Sequence, residues 1–212
     1  MTTKTHAIVL NKINYKESSY IVRVLTESHG VLSLIAKGVR RAKSVSLSHF
    51  ELGNYIEILY IKKESNLHII TETSLYQYKD MSNQPYLQLL SSQIALEIMS
   101  QLIISEEESH DFFNLLLAYL DYIPKVHNNH LLIIWRFLIK LTYLLGFPIN
   151  LSEIKEWNNY IQTAGEYINK PNILNDRCRL VNTKILDWFS INLHVKITCK
   201  SLILYEEFLF SN

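Results

Sequence analysis

Cysteine is scarce in this chain, which has Cys178 and Cys199 among its 212 residues. Two cysteines cannot build the disulfide framework of a small secreted domain, so we expect a protein of a reducing, cytoplasmic compartment. They also fall short of the four ligands of a structural zinc site. His127 and His130, three residues apart, are interpreted as solvated residues at the start of a helix. We therefore expect no metal and no cofactor.

Long apolar runs are missing as well. The most hydrophobic stretch, Leu131 to Leu145, is interrupted by Arg136 and Lys140 and is too short to span a bilayer. Residues 1–5 carry no apolar segment, so no signal peptide is predicted. With only 5 glycines and 4 prolines, a long flexible linker is not expected either. The composition indicates a soluble protein without membrane association.

Catalytic motifs are also absent. The chain has no glycine-rich phosphate loop, no nucleophile elbow and no paired cysteine or histidine spacing of a metal enzyme. We therefore expect no enzymatic activity, and the functional argument depends on the charged surfaces.

Charge is unevenly distributed although the net charge is only +1. Residues 1–80 contain 11 basic and 7 acidic side chains, a balance of +4, whereas the remainder has 10 basic and 13 acidic ones, a balance of −3. Such asymmetry between halves indicates a polyanion-binding N-terminal module. Hydrophobic residues make up 48% of the chain, enough for a packed core, so disorder is not expected.

Five strands are predicted in the first 80 residues from β-branched and alternating apolar patterns bounded by turn residues. They cover 6–13, 20–26, 31–37, 50–61 and 67–78. Five strands without a long helix between them favour a small closed barrel, and the OB-fold is the commonest five-stranded form.

After residue 80 the apolar period becomes helical. Helices are predicted at 85–102, 111–123, 129–145, 183–191 and 198–210, and the asparagine-rich stretch 150–180 is interpreted as loops with one short helix. The predicted fold is therefore α+β with two domains. The first is a five-stranded OB-fold nucleic-acid-binding domain over 1–80, and the second is an all-helical domain over 81–212.

One segment between predicted strands is strongly basic. No acidic residue occurs between Glu27 and Glu51, and the cations in this window are Lys37, Arg40, Arg41 and Lys43. Permanent charges and the forked donors of arginine suit phosphate oxygens, and OB-folds carry binding loops between their strands. We predict a DNA-binding segment here, and an ordinary solvated basic loop is the alternative. Further contacts are expected from Lys12, Lys16 and Arg23.

Binding of single strands also requires rings on which bases stack, each worth roughly 1–3 kcal/mol. Tyrosines on or beside the predicted strands are candidates, although packing is the commoner role of such residues. They are Tyr15, Tyr20, Tyr55 and Tyr60.

Several short motifs occur in a fixed order along the chain. The N-terminal ones are Ala7-Ile8-Val9-Leu10, Tyr15-x-Glu17-Ser18, Ile21-Val22-x-Val24-x-Thr26, Gly30, and Ala36-Lys37-Gly38-x-Arg40-Arg41-x-Lys43-Ser44. The later ones are Trp135-Arg136-Phe137, Leu144-Leu145-Gly146-Phe147-Pro148 and Lys200-Ser201. Together they resemble the RecO family of bacterial recombination-mediator DNA repair proteins.

The resemblance implies an OB-fold domain followed by a helical domain. It implies binding to single- and double-stranded DNA and annealing of complementary strands. It also implies that the protein works with RecR and the single-stranded DNA-binding protein to help load RecA onto coated strands at the bacterial nucleoid. The competing hypothesis is a protein-interaction scaffold whose barrel has lost nucleic-acid affinity.

One region departs from the family pattern. Many RecO proteins carry four zinc-binding cysteines after the Leu-Gly-aromatic motif, whereas residues 154–180 of this chain contain Cys178 alone. We therefore expect this region to be held by packing through Trp157, Tyr160 and Tyr167.

The helix predicted at 129–145 suggests a second binding site. Arg136 and Lys140 are four residues apart on an otherwise apolar helix, so they share one face. With Trp135 they are predicted to dock the acidic, apolar-ended tail of the single-stranded DNA-binding protein. The alternative is that both cations pair with Glu97 or Asp121 inside the helical domain.

Overall fold

The computed structural model describes residues 2–41, 45–79, 81, 83–102, 109–149, 155–175, 178–194 and 196–210. Within them, the first part of the chain forms β1 (Thr2–Tyr15), β2 (Ser19–Thr26), β3 (Val31–Ala36), β4 (Tyr55–Ile61) and β5 (Leu67–Gln77). The helices are α1 (Tyr86–Gln101), α2 (Ser109–Tyr122), α3 (His130–Leu144), α4 (Lys155–Gln162), α5 (Cys178–Leu193) and α6 (Lys200–Phe210).

The strands close into a barrel in the order β1-β2-β3-β5-β4. Neighbouring strands are antiparallel except β3 and β5, which pair in parallel from Ser33 opposite Leu67 to Ala36 opposite Ile70. The 14 residues of β1 serve two partners, because the first part of β1 pairs with β4 and the second with β2, with a register shift between Val9 and Asn11. This arrangement confirms the predicted five-stranded OB-fold followed by helices.

Alternation along each strand builds the barrel core. Inside the barrel, Val22 of β2 lies opposite Leu34 of β3 and Val24 opposite Leu32, whereas Arg23 between the two valines points outward. Phe50 ends a 3₁₀ helix over Val45–Phe50 between β3 and β4, and its ring is fully buried in the same core. This short helix occupies the position between the third and fourth strands.

The predicted strand over 50–61 begins too early, because β4 starts only at Tyr55. A turn precedes it, with Gly53 at a φ of 77°, a conformation that strongly favours glycine. The side chain of Asn54 then fixes the entry to the strand. Its amide donates to the carbonyl of Ser48 at 2.8 Å and its oxygen accepts from the backbone N–H of Lys79 at 2.8 Å. The apolar residues around this turn led to the prediction of a strand that begins too early.

In the helical part, α3 is buried on nearly every side. The exposed positions are Arg136, Lys140 and Tyr143, which follow one line along the helix. Trp135 is completely buried, and its indole N–H donates to the side-chain oxygen of Asn182 on α5 at 2.6 Å. His130, expected to be solvated, is also buried at the start of the helix.

The stretch after α3 is held by aromatic packing, as predicted. Trp157 contacts Trp135 with ring centroids 5.4 Å apart. The Tyr160 ring lies 5.8 Å from the Trp157 ring, and the Tyr167 ring lies 5.1 Å from the Tyr160 ring. Lys170 lies over the Tyr167 ring at 4.5 Å. These contacts anchor the short helix α4 and the turn that follows it.

Asn129 fastens the same stretch to the start of α3. Its amide donates to the carbonyls of Tyr167, Lys170 and Pro171 at 2.9 to 3.4 Å, and its oxygen accepts from the N–H of Ile173 at 2.9 Å. Asn129 has a φ of 56°, a left-handed conformation that asparagine tolerates better than most residues. One side chain therefore satisfies four backbone groups of a distant segment.

Helix α5 starts earlier than predicted, at Cys178 rather than at residue 183. Its buried residues include Cys178, Val181, Ile185 and Phe189, whose spacing of three to four places them on one face. Both cysteines are buried, and neither forms a disulfide. The length of the loops was thus overestimated in this part of the chain.

The chain divides into two compact units. The barrel unit comprises Met1–Asn83 and Met99–Leu117, and the helical unit comprises Gln84–Ile98 and Ala118–Asn212. The predicted boundary after residue 80 assigned all later residues to the helical domain, whereas 99–117 belong with the barrel. Phe113 of α2 packs edge-on against Tyr55 of β4, with centroids 5.6 Å apart.

Among the described helices, none is both long and apolar enough to cross a membrane.

Candidate nucleic-acid interface

Two loops separated by about twenty residues meet at one end of the barrel. The backbone N–H of Arg40 donates to the carbonyl of Ser18 at 2.9 Å, and that of Gly38 donates to the hydroxyl of Ser19 at 3.4 Å. The guanidinium of Arg40 also donates to the carbonyl of Lys16 at 3.4 Å. These bonds join the loop after β1 to the loop after β3.

The backbone in both loops is tightly turned. Gly38 has a φ of 70° and Lys16 a φ of 52°, both in the left-handed region. The N–H of Arg41 closes the second loop by donating to the carbonyl of Gly38 at 3.2 Å. A Cβ at position 38 would lie 3.6 Å from the Arg41 guanidinium, an ordinary contact. Glycine is therefore required there for its conformation rather than for space.

We call the cations gathered by these loops the basic end of the barrel. Lys16, Lys37 and Arg41 are exposed, and Arg40 is partly exposed. Lys43, predicted to act with them, lies outside the described residues. Of the predicted DNA-binding residues, the structure thus brings together Lys16, Lys37, Arg40 and Arg41.

Tyrosine rings accompany these cations. The Arg40 guanidinium lies 5.8 Å from the centroid of Tyr20, and the Lys16 ammonium 5.4 Å from that of Tyr15. Such distances permit cation–π attraction. Lys12 also lies 5.4 Å from the Tyr20 centroid, and it pairs with Glu51 at 2.7 Å. The charge of Lys12 is therefore already partly neutralised, which makes it a weaker phosphate ligand than Arg40.

Arg23 does not belong to the basic end. It lies on the outer face of the barrel between Asn11 and Ser33, three residues along β2 from Tyr20. That spacing corresponds to roughly 10 Å along a strand. Burial lowers the pKa of Arg23, and its Nε makes no hydrogen bond with any described residue.

The remaining candidate rings have packing roles. Tyr60 is buried in the barrel core and stacks on His68 with centroids 5.6 Å apart. Tyr55 packs against Phe113 and His6. Only Tyr15 and Tyr20 among the four predicted tyrosines accompany the basic end, and Tyr20 also packs partly buried against the barrel core. The sequence reveals the tyrosines but not which of them the strand registers bring beside cations.

An acidic counterpart near the β2–β3 turn was missed by the sequence analysis. His6 lies between Glu27, 3.1 Å from its Nδ1, and Glu57, 3.7 Å from its Nε2. Lys4 pairs with Glu57 at 3.0 Å, and His110 of α2 lies 3.6 Å from Glu27. No sequence pattern links these positions, because strand pairing alone brings them together. The barrel therefore carries basic loops at one end and, near the other, acids that have basic neighbours.

The second predicted site is altered by the structure. Trp135 cannot contact a partner peptide because it is fully buried and hydrogen-bonded to Asn182. Arg136 and Lys140 are exposed, and the described residues show no ion pair from either to Glu97 or Asp121. Glu97 instead accepts hydrogen bonds from the hydroxyl and backbone N–H of Ser201 at 2.7 and 3.3 Å.

A closed five-stranded barrel of this strand order, with cationic loops at one end, defines an OB-fold of the kind that carries nucleic-acid-binding loops. Family models described as the N-terminal and C-terminal parts of recombination protein O match residues 1–78 and 84–154. The chain belongs to the RecO family, which confirms the predicted resemblance.

Curated relatives agree with the family models. The chain is 32% identical over 155 residues to the DNA repair protein RecO of Prosthecochloris aestuarii, covering 72% of this chain and 58% of that protein. It is 32% identical over 169 residues to that of Chlorobium limicola, covering 78% and 64%. With that of Chloroherpeton thalassium it shares 34% over 155 residues, covering 72% and 60%. The matching part thus spans about three fifths of the length of these relatives.

Proposed function

We propose that this chain is a DNA-binding recombination mediator in DNA repair. It binds single- and double-stranded DNA through the basic end of the barrel, anneals complementary strands and helps load RecA onto strands coated by the single-stranded DNA-binding protein. RecR is its expected partner in this reaction. The protein acts by binding and positioning, without catalysis of its own.

The observation that carries the proposal is the junction of two loops at the basic end. Hydrogen bonds from Arg40 to Ser18 and Lys16 hold the cations in place before any ligand arrives. Four side chains with permanent or near-permanent charge then face solvent beside two tyrosine rings. The cations can bind the phosphates of DNA, and unpaired bases can stack on the tyrosine rings.

Removal of two arginines tests this proposal. The Arg40→Ala/Arg41→Ala variant should bind a fluorescent oligothymidylate at least about tenfold more weakly, with a salt dependence flatter by about two phosphate contacts. The charge-matched control is Lys125→Ala/Lys196→Ala, which removes two exposed cations from the helical unit. We expect the control to bind like the unmodified protein.

The measurement is a titration at several salt concentrations, combined with circular dichroism to verify folding. Equal affinity of the two double variants would contradict the proposal. The absence of measurable DNA binding by the folded, unmodified protein would favour the scaffold hypothesis instead, whereas binding through phosphates should weaken as salt rises.

We also propose that the exposed line of α3 binds the acidic tail of the single-stranded DNA-binding protein. Arg136 and Lys140 offer charge to its carboxylates, and the ring of Tyr143, 61% exposed, offers apolar surface. In fluorescence anisotropy, Lys140→Glu should weaken binding of the tail peptide about tenfold or more without changing thermal stability. Lys125→Glu is the matched control. Equal binding by both variants would exclude this surface.

A further inference from the structure

A continuous row of isoleucines crosses the outer surface of the barrel. In four of the five pairs of neighbouring strands, one isoleucine lies directly opposite the next. The pairs are Ile13 with Ile21, Ile21 with Ile35, Ile35 with Ile69, and Ile69 with Ile61. Because paired residues project from the same face of a sheet, the five side chains lie side by side. We call them the isoleucine row.

The isoleucine row faces away from the core. The core is formed by the alternate residues of each strand, such as Val22 and Leu34. Ile13 is 55% exposed and the other four isoleucines are partly exposed. Ile8 and Leu25 form a second outward pair, and both are fully buried. The barrel thus covers one outer apolar row and leaves the other accessible.

An incompletely satisfied cation borders the row on one side. Arg23 is two residues from Ile21 on the same face of β2. Its guanidinium is half-buried, and its Nε makes no hydrogen bond with any described residue. The rest of the Arg23 side chain is partly exposed, and a carboxylate is the acceptor that best suits a guanidinium. The site therefore suits an acidic group placed beside the apolar row.

Cations also border the other side of the row. Lys16 and Lys37 follow the ends of β1 and β3 and are exposed near Ile13 and Ile35. Two acids, Glu17 and Glu72, lie at the margins. The apolar surface over β1, β2 and β3 therefore has Arg23 on one side and Lys16 and Lys37 on the other. This charge complementarity selects an acidic occupant.

The side chains of the row favour protein over nucleobases. Sequence-tolerant binding of single strands relies on aromatic faces for stacking, and the row consists of isoleucines. Branched aliphatic side chains instead pack well against other apolar side chains on a pleated surface. We propose that the isoleucine row docks an acidic segment of a partner protein, with apolar side chains on Ile13, Ile21 and Ile35 and a carboxylate on Arg23.

Nuclear magnetic resonance with labelled isoleucine δ1-methyl groups tests the proposal directly. The probe is a seven-residue capped peptide, Asp-Ile-Asp-Phe-Asp-Ile-Asp. The methyl signals of Ile13, Ile21 and Ile35 should shift and saturate with a Kd of about 1 mM or lower. Two control peptides, with lysine in place of aspartate or serine in place of the apolar residues, should leave these signals unchanged. No shift with the acidic peptide overturns the proposal.

Variants then assign the binding to the row. Ile13→Thr/Ile35→Thr keeps side chains suited to strands and should raise the Kd about tenfold through lost apolar contact. Arg23→Gln should raise it as well. The matched control is Ile191→Thr, at an isoleucine of α5 that is 70% exposed, and its Kd should stay within about twofold. Methyl signals away from the substituted positions should match those of the unmodified protein, which verifies the fold of each variant. Equal Kd values in all variants would contradict the proposal.

Oligothymidylate provides the competing arm. If it shifts the same three methyl signals and displaces the peptide, the row binds DNA and the proposal is wrong. If the Arg40→Ala/Arg41→Ala variant loses DNA affinity yet binds the peptide unchanged, the row is a separate docking surface. Failure at the basic end and failure at the row are thereby distinguished.

Discussion

The barrel and the helical unit use their buried polar groups differently. In the barrel, several of these groups flank strand ends, such as Ser19, Thr26 and Asn54, where they fix turns. In the helical unit they join one element to another, as Trp135 joins α3 to Asn182 on α5. A sheet positions its strands through backbone hydrogen bonds, whereas a helix satisfies its backbone internally. Helices therefore depend on side chains for their mutual arrangement.

The most damaging single change should fall in the helical unit. Trp135→Ala removes a fully buried indole and leaves Asn182 without its donor, so the free energy of unfolding should fall by about 3–5 kcal/mol. Tyr143→Ala on the same helix is the control, because that ring is exposed and its loss should cost less than about 0.5 kcal/mol. Urea denaturation followed by circular dichroism measures both. Similar losses would disprove the assigned role of Trp135.

Acid should weaken the helical unit through His130. Burial, with a smaller contribution from the charge of His127, lowers the pKa of His130 to about 4. The unfolded chain protonates near pH 6.5 and therefore binds the proton more readily than the folded one. The stability contributed by neutral His130 is present above pH 6.5 and is lost as pH falls to 4, by about 3 kcal/mol.

The His130→Asn variant should lack this pH dependence, whereas His127→Asn, at the exposed histidine three residues earlier, should retain most of it. Unfolding free energies between pH 7 and pH 4 measure the difference. A slope of equal size in both variants would place the titrating group elsewhere.

A smaller effect should separate the two contributions of Asn129. Asn129→Ala removes four hydrogen bonds and places alanine at a φ of 56°, which should cost about 2 kcal/mol. Asn129→Gly removes the same bonds but tolerates the backbone, so it should be more stable than Asn129→Ala by about 1 kcal/mol. Thermal unfolding compares them. If the two variants unfold alike, backbone strain at this position contributes nothing.

Elements with a regular apolar period were predictable, and departures arose where that period was ambiguous. The strands β2 and β3 lie close to their predicted bounds because alternation and turn residues coincide there. The predicted strand over 50–61 failed at its first residues, since Phe50 is apolar but closes the barrel from a 3₁₀ helix. Apolar content alone does not distinguish these two uses.

The candidate sites were predictable only in part for a related reason. Clustered charge identified Lys37, Arg40 and Arg41, because they are near one another along the chain. The junction with Lys16 and the separation of Arg23 depend on strand register, which is not a local property. Trp135 was grouped with the charged Arg136 in the predicted docking site, yet adjacent residues on a helix point in different directions, and only Arg136 is exposed.

The double pairing of β1 has a consequence for synthesis. Its first residues pair with β4, Thr2 lying opposite Ile61, so this edge has no partner until about sixty residues have been made. The hairpin of β2 and β3 needs only local contacts and forms early, whereas closure must await the most distant strands. A growing chain on the ribosome therefore carries an open strand edge with unpaired backbone groups, which is a template for wrong pairing with other chains. Pausing of translation within β4 would prolong that hazard, and rapid completion of β4 and β5 would end it.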